Sequence, residues 1–196
     1  MIISEERWKT AQENEFKHHV AREDLMHSYS QSYNIIFDYL GINKEDLKNK
    51  SVLEIGPAFY PALFSVQTKE SHVIEPLFDQ FPEEIKNIYN FKKINVFKNM
   101  AEELDKLNIK VDEIWIFNLL QHVQDPEKIL INSYSVSSVV RIFEPIDWPT
   151  DICHPHTFSK KFFEDIFPKT NFKVHIGGSI KNFHDANCIY GTIYKE

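Results

Sequence analysis

The stretch VLEIGPAFYP, residues 52–61, decides the fold of this chain. With Ser51 before it, the segment SVLEIG has the short, largely apolar character of a buried strand, and Gly56 stands at its end. A glycine at that point lets the backbone turn sharply and lets a ligand approach without meeting a side chain. Open parallel sheets bind ligands beyond the carboxyl ends of their strands. The stretch therefore predicts a ligand site directly after the first strand.

The strand character recurs downstream. Further strands are predicted in SHVIEP (71–76), KINVF (93–97), DEIWIFN (112–118) and SSVVRIFEP (137–145), and the stretches between them are compatible with helices. The clearest helix begins in DPEKILINSY, where Asp125 can cap free amide groups and Pro126 suits the first helical position. Strands that alternate with helices predict a parallel sheet covered by helices on both faces.

The two ends of the chain have other patterns. From Ser4 to Leu40 apolar residues recur about four apart, which predicts two helices or one broken helix, and Gly41 follows where a left-handed cap would end the second. After a helix-like stretch at 159–167, NFKVHIGGSI and NCIYGTIYKE are strand-like runs joined by a short polar loop. This pair predicts an antiparallel C-terminal hairpin.

Composition limits the classes of partner and compartment. The formal net charge of the 196 residues is −7, which opposes binding to nucleic acid, because phosphate binding requires clustered Lys and Arg. Two cysteines, Cys153 and Cys188, indicate reduced thiols and a cytoplasmic protein rather than a disulfide framework. Neither a signal peptide nor a membrane-spanning stretch is predicted. The oligomeric state is left open.

The residues of the first loop and Glu75 indicate which kind of nucleoside cofactor the site would bind. Glu75 lies about twenty residues after the loop, where an acidic side chain can accept both ribose hydroxyls. A dinucleotide pyrophosphate needs converging amide donors, but Pro57 and Pro61 remove two of them. S-adenosylmethionine carries no phosphate and tolerates that loss. The loop therefore favours S-adenosylmethionine over NAD, and an NAD-dependent oxidoreductase is kept as a weaker option.

From about Ser51 to its C-terminus, the sequence resembles the class I S-adenosylmethionine-dependent methyltransferases. The likeness is carried by VLEIGPAFYP, VIEP (73–76), FKNMAEEL (97–104), DEIWIFNLLQHVQDPEKIL (112–130) and the closing hairpin. It implies a Rossmann-like, mostly parallel α/β sheet of seven strands with an antiparallel C-terminal hairpin and an N-terminal helical cap. One domain is expected over 1–196, with the cap at 1–45 and the Rossmann-like core at 51–196.

The resemblance also implies roles for individual residues. Glu54 would face the methionine amino group, Gly56 the cofactor backbone and Glu75 the ribose. Met100 is the most favoured contact of the adenine ring. The full set of cofactor-binding residues that the resemblance implies is Glu54, Gly56, Pro57, Ala58, Glu75, Pro76, Met100, Ala101, Asn118 and Leu119.

The acceptor side is predicted from histidines and residues that follow the fourth and fifth strands. His122 is predicted near the methyl group, as a base or as an edge of the acceptor pocket, and a packing histidine is an equal alternative. The catalytic candidates are His122 and His156, and the substrate-binding candidates are Glu144, Trp148 and His154. Glu144 could equally be a solvated strand end, and a lone aromatic residue such as Trp148 more often packs. For His154 and His156 structural hydrogen bonding is ranked first, acceptor contact second and a metal third, so no metal site is predicted.

The predicted function is an S-adenosylmethionine-dependent methyltransferase that acts on the oxygen or nitrogen of a small-molecule acceptor. The first motif departs from the family pattern, because Ala58 and Tyr60 stand where two further glycines are usual. Tyr60 is expected to put its ring where the methionine carboxylate lies. The alternative is therefore a non-catalytic binding protein of the same fold with a degenerate cofactor loop.

Overall fold

A computed structural model describes residues 2–20, 25–177 and 186–195, with the side chains of 18–20 and 25–28 excepted. The helical cap comprises α1 (Glu5–Val20) and α2 (Leu25–Leu40). The polar loop predicted between the two C-terminal strands lies largely outside the described residues. No helix in the described ranges is both long and apolar enough to cross a membrane.

The sheet has seven strands in the order β3-β2-β1-β4-β5-β7-β6. The first five pair in parallel, while β7 runs antiparallel to both β5 and β6. The predicted fold class, including the antiparallel C-terminal hairpin, is confirmed. The strands are β1 (Ser51–Ile55), β2 (Glu70–Ile74), β3 (Asn95–Phe97), β4 (Val111–Phe117), β5 (Ser137–Ile146), β6 (Lys173–His175) and β7 (Asn187–Tyr194).

Local signals in the sequence start and stop the helices. In α4 (Pro126–Val136) the Asp125 carboxylate accepts a hydrogen bond from the Lys128 amide at 3.1 Å, and Pro126 opens the helix as predicted. Gly41 ends α2 with a φ of +61°, and the Ile42 amide donates to the Phe37 carbonyl at 2.8 Å. Among the described residues the other α-helices are α3 (Glu83–Phe91) and α5 (Lys160–Ile166).

Alternation along the strands divides the core into two unlike layers. The layer that packs against α2 and α3 is rich in aromatic rings, among them Phe37, Tyr89 and Trp115. The layer that packs against α4 and α5 is largely aliphatic in the sheet, with Leu53, Ile55, Ile114, Ile116, Val140 and Ile142. Helices therefore cover both faces of the sheet.

A buried ion network ties α2 to the sheet. Glu113 of β4 is fully buried and accepts hydrogen bonds from Arg141 Nε at 2.6 Å and Lys50 Nζ at 2.6 Å. Arg141 also donates to the Leu40 carbonyl at the end of α2, at 3.1 Å. Burial raises the pKa of Glu113, but the bonds from Arg141 and Lys50 outweigh it and lower that pKa to about 2.

We expect Glu113→Gln to lower the free energy of unfolding by about 3–5 kcal/mol, because it leaves the Arg141 charge buried without its counter-ion. Urea unfolding at neutral pH measures this. The matched control is Glu45→Gln, which removes an exposed ion pair with Lys48 and should cost less than about 1 kcal/mol. Equal effects of the two changes would contradict a role for the network.

The lowered pKa of Glu113 predicts that the free energy of unfolding depends on pH. The ordinary pKa of 4.5 is lowered on folding to about 2, so the unfolded chain binds the proton first as the pH falls. The Glu113 stabilisation is complete above pH 4.5 and declines between there and about pH 2. The difference between wild type and Glu113→Gln should therefore shrink across that acidic window in urea titrations, and a constant difference would argue against it.

Candidate functional site

A cleft opens at the carboxyl ends of β1, β2 and β4, under the helical cap. Its space is about 1050 Å³ when the open mouth and the adjoining solvent are included. The cap contributes Trp8, Gln12, Glu15, Phe16, Tyr29, Ser32 and Tyr33 to its lining, and the sheet side contributes Gly56, Pro57, Ala58, Phe59, Ile74, Glu75, Pro76, Leu77, Phe81, Met100, Ala101, Glu102, Phe117, Asn118, Leu119, His122 and Val123.

The loop after β1 depends on two residues in the left-handed region. Gly56 has a φ of +59°, and a Cβ at this position would lie 2.3 Å from Leu119 Cδ1. Ala58 has a φ of +52° although it carries a side chain. It therefore keeps the backbone conformation that a glycine would favour there, at a cost on the order of 1–2 kcal/mol.

Glu75 is the acidic group that faces the cleft. It is 6% exposed, and its two carboxylate oxygens accept hydrogen bonds from the Ala58 amide at 3.2 Å and the Leu77 amide at 3.0 Å. These two bonds orient the carboxylate at the lining of the cleft. The ribose contact of Glu75 stays a prediction.

Two other predicted contacts, Glu54 and Glu144, do not line the cleft. Glu54 is 1% exposed and accepts from the Ala62 and Leu63 amides at 2.9 and 3.1 Å. Glu144 is fully buried and accepts from the Leu119 and Leu120 amides at 2.8 and 3.1 Å. Both carboxylates fix loops, so their placement is against the predicted contacts with methionine and acceptor.

Burial determines how these two carboxylates ionise. Desolvation raises the pKa of Glu54 to about 8, against the opposing effect of its two amide donors. The pKa of Glu144 is raised to about 8 in the same way, against the Leu119 and Leu120 amides. A third glutamate that fixes a loop, Glu102, lines the cleft and accepts from the Gln124 and Asp125 amides at 2.8 and 3.1 Å.

The remaining predicted cofactor residues line the cleft. Asn118 follows β4 with a φ of +56°, a conformation that asparagine tolerates better than most residues. Its amide donates to the Phe143 carbonyl at 2.9 Å, and its side-chain oxygen accepts from Gln121 at 3.0 Å. The other residues of the set that reach the cleft are Pro57, Pro76, Met100, Ala101 and Leu119.

The two predicted catalytic histidines have different surroundings. His122 lines the cleft, and its Nδ1 donates to the Cys153 carbonyl at 3.2 Å. His156 is 3% exposed and donates through Nε2 to the Val123 carbonyl at 2.8 Å. Burial lowers the pKa of His156. Because His156 does not line the cleft, the structure is against a catalytic role for it and favours the structural alternative.

His154 and Trp148 lie behind the cleft lining. The Nδ1 atom of His154 pairs with the Asp151 carboxylate at 2.8 Å, and the Trp148 ring centre is 6.1 Å from that of His154. The ring centres of His154 and His122 are 4.8 Å apart. His154 therefore lies next to His122, which lines the cleft. Neither His154 nor Trp148 lines the cleft itself.

The sequence did not identify Gln12, Glu15, Ser32 or Tyr33 as site residues. Gln12 and Glu15 follow Trp8 at helical spacing, so one side of α1 faces the cleft. That spacing was the available signal, but polar residues on a helix usually mark a solvated side. Tyr60 is not among the residues that line the cleft, whereas Phe59 is, and the Tyr60 ring centre lies 5.9 Å from that of Tyr29.

Comparisons with known proteins relate this architecture to solved structures. N-methyltransferase NodS from Bradyrhizobium japonicum WM9, in complex with S-adenosyl-L-homocysteine, aligns with a TM-score of 0.65 at 12% identity, over 96% of this chain and 98% of that one. A Burkholderia thailandensis 1,6-didemethyltoxoflavin-N1-methyltransferase aligns at 0.62 and 11% identity, over 100% and 92%. The [4+2]-cyclase SpnF aligns at 0.61 and 9% identity, over 85% and 80%.

These likenesses show that the chain shares the Rossmann-like α/β fold of these proteins. No family model matches the chain, and no curated protein sequence matches it. At identities of 9 to 12% in these three structures, the likeness is one of fold. Any activity must therefore be argued from the residues of the cleft.

We expect Gly56→Ala to destabilise the protein by about 2–4 kcal/mol, because a side chain is strained at this φ and its Cβ displaces Leu119. The matched control is Gly41→Ala, which has a φ of +61° and nothing within 4 Å of the added Cβ. It should cost only about 1 kcal/mol. The difference between the two variants in thermal unfolding measures the effect of the Leu119 contact. An equal fall of the melting temperature in both would argue against a role for that contact.

Proposed function

We propose that the protein is an S-adenosylmethionine-dependent methyltransferase acting on a small-molecule acceptor. The observation that carries this proposal is the Glu75 carboxylate, which the Ala58 and Leu77 amides hold at the cleft beside Gly56. A fixed carboxylate can accept hydrogen bonds from ribose hydroxyls, and a neighbouring glycine lets the chain attached to the ribose lie close to the backbone. Two structures of this fold that contain S-adenosylhomocysteine support the same ligand class.

The residues of the cleft fit the parts of this cofactor. Glu75 would accept the ribose hydroxyls, Met100 and Ala101 would flank the adenine, and Gly56 would leave room for the methionine chain. Pro57, Ala58, Pro76, Asn118 and Leu119 complete the walls. Bound there, S-adenosylmethionine supplies an electrophilic methyl group. The chain itself has to orient the acceptor and exclude water, since position alone accounts for much of such catalysis.

The acceptor side is the part of the cleft under the cap. Aromatic rings of Trp8, Phe16, Tyr29 and Tyr33 lie there together with His122. These rings and the imidazole suit a small, partly apolar molecule with an oxygen or nitrogen nucleophile. The net charge of −7 favours such a molecule over a nucleic acid. Two free cysteines are compatible with a cytoplasmic protein.

Two features favour an enzyme over a protein with a degenerate loop. Ala58 keeps a left-handed backbone despite its side chain, and the Tyr60 ring packs against the cap instead of filling the cleft. An NAD-dependent oxidoreductase is disfavoured because Pro57 and Pro61 cannot donate to a pyrophosphate. Because the [4+2]-cyclase SpnF has the same fold, a reaction other than methyl transfer is the alternative that an experiment must exclude.

Calorimetric titration with S-adenosylhomocysteine tests the cofactor. We expect wild type to bind and Glu75→Gln to bind more weakly by about 1.5–3 kcal/mol, because charge-assisted bonds to the ribose are lost. The matched control is Glu70→Gln, at the exposed start of the same strand, which should leave affinity unchanged. Absence of binding to wild type at high micromolar ligand would overturn the proposed function.

An affinity that is the same for wild type and Glu75→Gln would overturn the ribose assignment alone. A screen of small hydroxyl and amine acceptors with wild-type protein and S-adenosylmethionine then tests methyl transfer. Formation of S-adenosylhomocysteine that depends on the acceptor supports the enzyme. Tight cofactor binding with no turnover across the screen would favour the non-catalytic alternative.

A further inference from the structure

Three side chains from distant parts of the chain converge beside the acceptor side of the cleft. Glu15 comes from α1, His122 from the turn after β4, and His154 from the loop after β5. Their potential ligand atoms, one from each residue, all lie within 4.8 Å of one another. Two imidazoles and one carboxylate form the donor set of many catalytic Zn²⁺ and non-haem iron sites.

Both histidines make the outer contacts that orient metal ligands. Nδ1 of His122 donates to the Cys153 carbonyl at 3.2 Å. Nδ1 of His154 pairs with the two oxygens of Asp151 at 2.9 and 2.8 Å. A histidine that ligates through one ring nitrogen almost always holds a carboxylate or carbonyl with the other. A cation would therefore be bound by Nε2 of each ring.

The distances between the potential ligand atoms are close to those around a bound metal ion. Two ligand atoms at about 2.1 Å from the same ion lie at most about 4.2 Å apart. The observed separations, within 4.8 Å, would close around an ion through small side-chain movements. His154 sits on a loop and Glu15 is partly exposed on a cap helix, so both can make such movements without disturbing the sheet.

We propose that Glu15, His122 and His154 form a binding site for a divalent transition-metal ion of the class that imidazole prefers, with Zn²⁺ as its representative. Mg²⁺ and Ca²⁺ are disfavoured because they select sets of oxygen ligands. Asp151 is a positioning residue that holds His154. The site was not predicted from sequence, because the carboxylate that completes it lies on the cap helix.

The site adjoins the cleft where an acceptor would lie. Glu15 and His122 both line the cleft, whereas His154 stands behind them. A set of three protein ligands leaves at least one coordination position for another molecule. An acceptor with an oxygen atom next to its nucleophile could occupy that position, and the ion would then hold the acceptor in the cleft. This role in acceptor binding rests on the proposed function. The cation site itself does not depend on that function.

Zn²⁺ titration of untagged, chelator-treated full-length protein tests the site by calorimetry. We expect about one ion per chain for wild type, with Mg²⁺ giving no binding. Glu15→Gln and His154→Ala should each weaken Zn²⁺ binding at least about tenfold, and Asp151→Asn by about 10- to 100-fold. The matched control for Glu15→Gln is Glu13→Gln, an exposed residue of the same helix, which should bind as wild type does.

Co²⁺ as a spectroscopic probe gives a second readout. Wild type and Glu13→Gln should develop visible absorption bands of coordinated Co²⁺ that Glu15→Gln lacks. Circular dichroism checks that each variant is folded, and Asp151→Asn replaces His154→Ala if the latter is not. No Zn²⁺ or Co²⁺ binding by wild type, or wild-type affinity in folded variants of Glu15 and His154, would overturn the site.

S-adenosylhomocysteine titrations of the same preparations separate the two proposals. Zn²⁺ binding without S-adenosylhomocysteine binding would support the metal site and overturn the proposed cofactor. Binding of S-adenosylhomocysteine without Zn²⁺ would overturn the metal site and leave the methyltransferase proposal standing.

Discussion

Buried carboxylates that accept pairs of backbone amides fix the loops on which the cleft depends. Glu54, Glu75, Glu102 and Glu144 each receive two such hydrogen bonds. An amide left unsatisfied in the interior costs roughly 1–3 kcal/mol, so every pair excludes other paths for its loop. A chain with only five glycines thereby shapes tight loops with side chains rather than with backbone freedom alone.

The four carboxylates differ in whether they face the interior or the cleft. Glu54 and Glu144 are directed into the protein, and burial raises the pKa of each to about 8. Glu75 and Glu102 use comparable amide contacts but line the cleft. The acidic groups that a ligand would meet are consequently oriented before it arrives, which reduces the ordering cost of binding.

The sheet is stabilised separately toward the other end of its strands. Glu113 and Arg141 pair in the interior, and Arg141 reaches the last carbonyl of α2. The aromatic layer between α2 and the sheet packs on the same side. The C-terminal end of α2 is therefore anchored away from the cleft loops, whereas its Tyr33 hydroxyl donates to the Tyr60 carbonyl of the first loop at 2.8 Å.

The sequence by itself determined the alternation of strands and helices, the end of the sheet at which the cleft opens, and the residues that directly follow strands, among them Gly56, Glu75 and Asn118. Those features are local, since periodicity and turn chemistry act over a few residues. Only the tertiary structure decided which way Glu54 and Glu144 point, that His156 is buried, and that Glu15 meets His122 and His154. Identical residue types acquire different surroundings from segments distant in the chain, and no local pattern encodes those contacts.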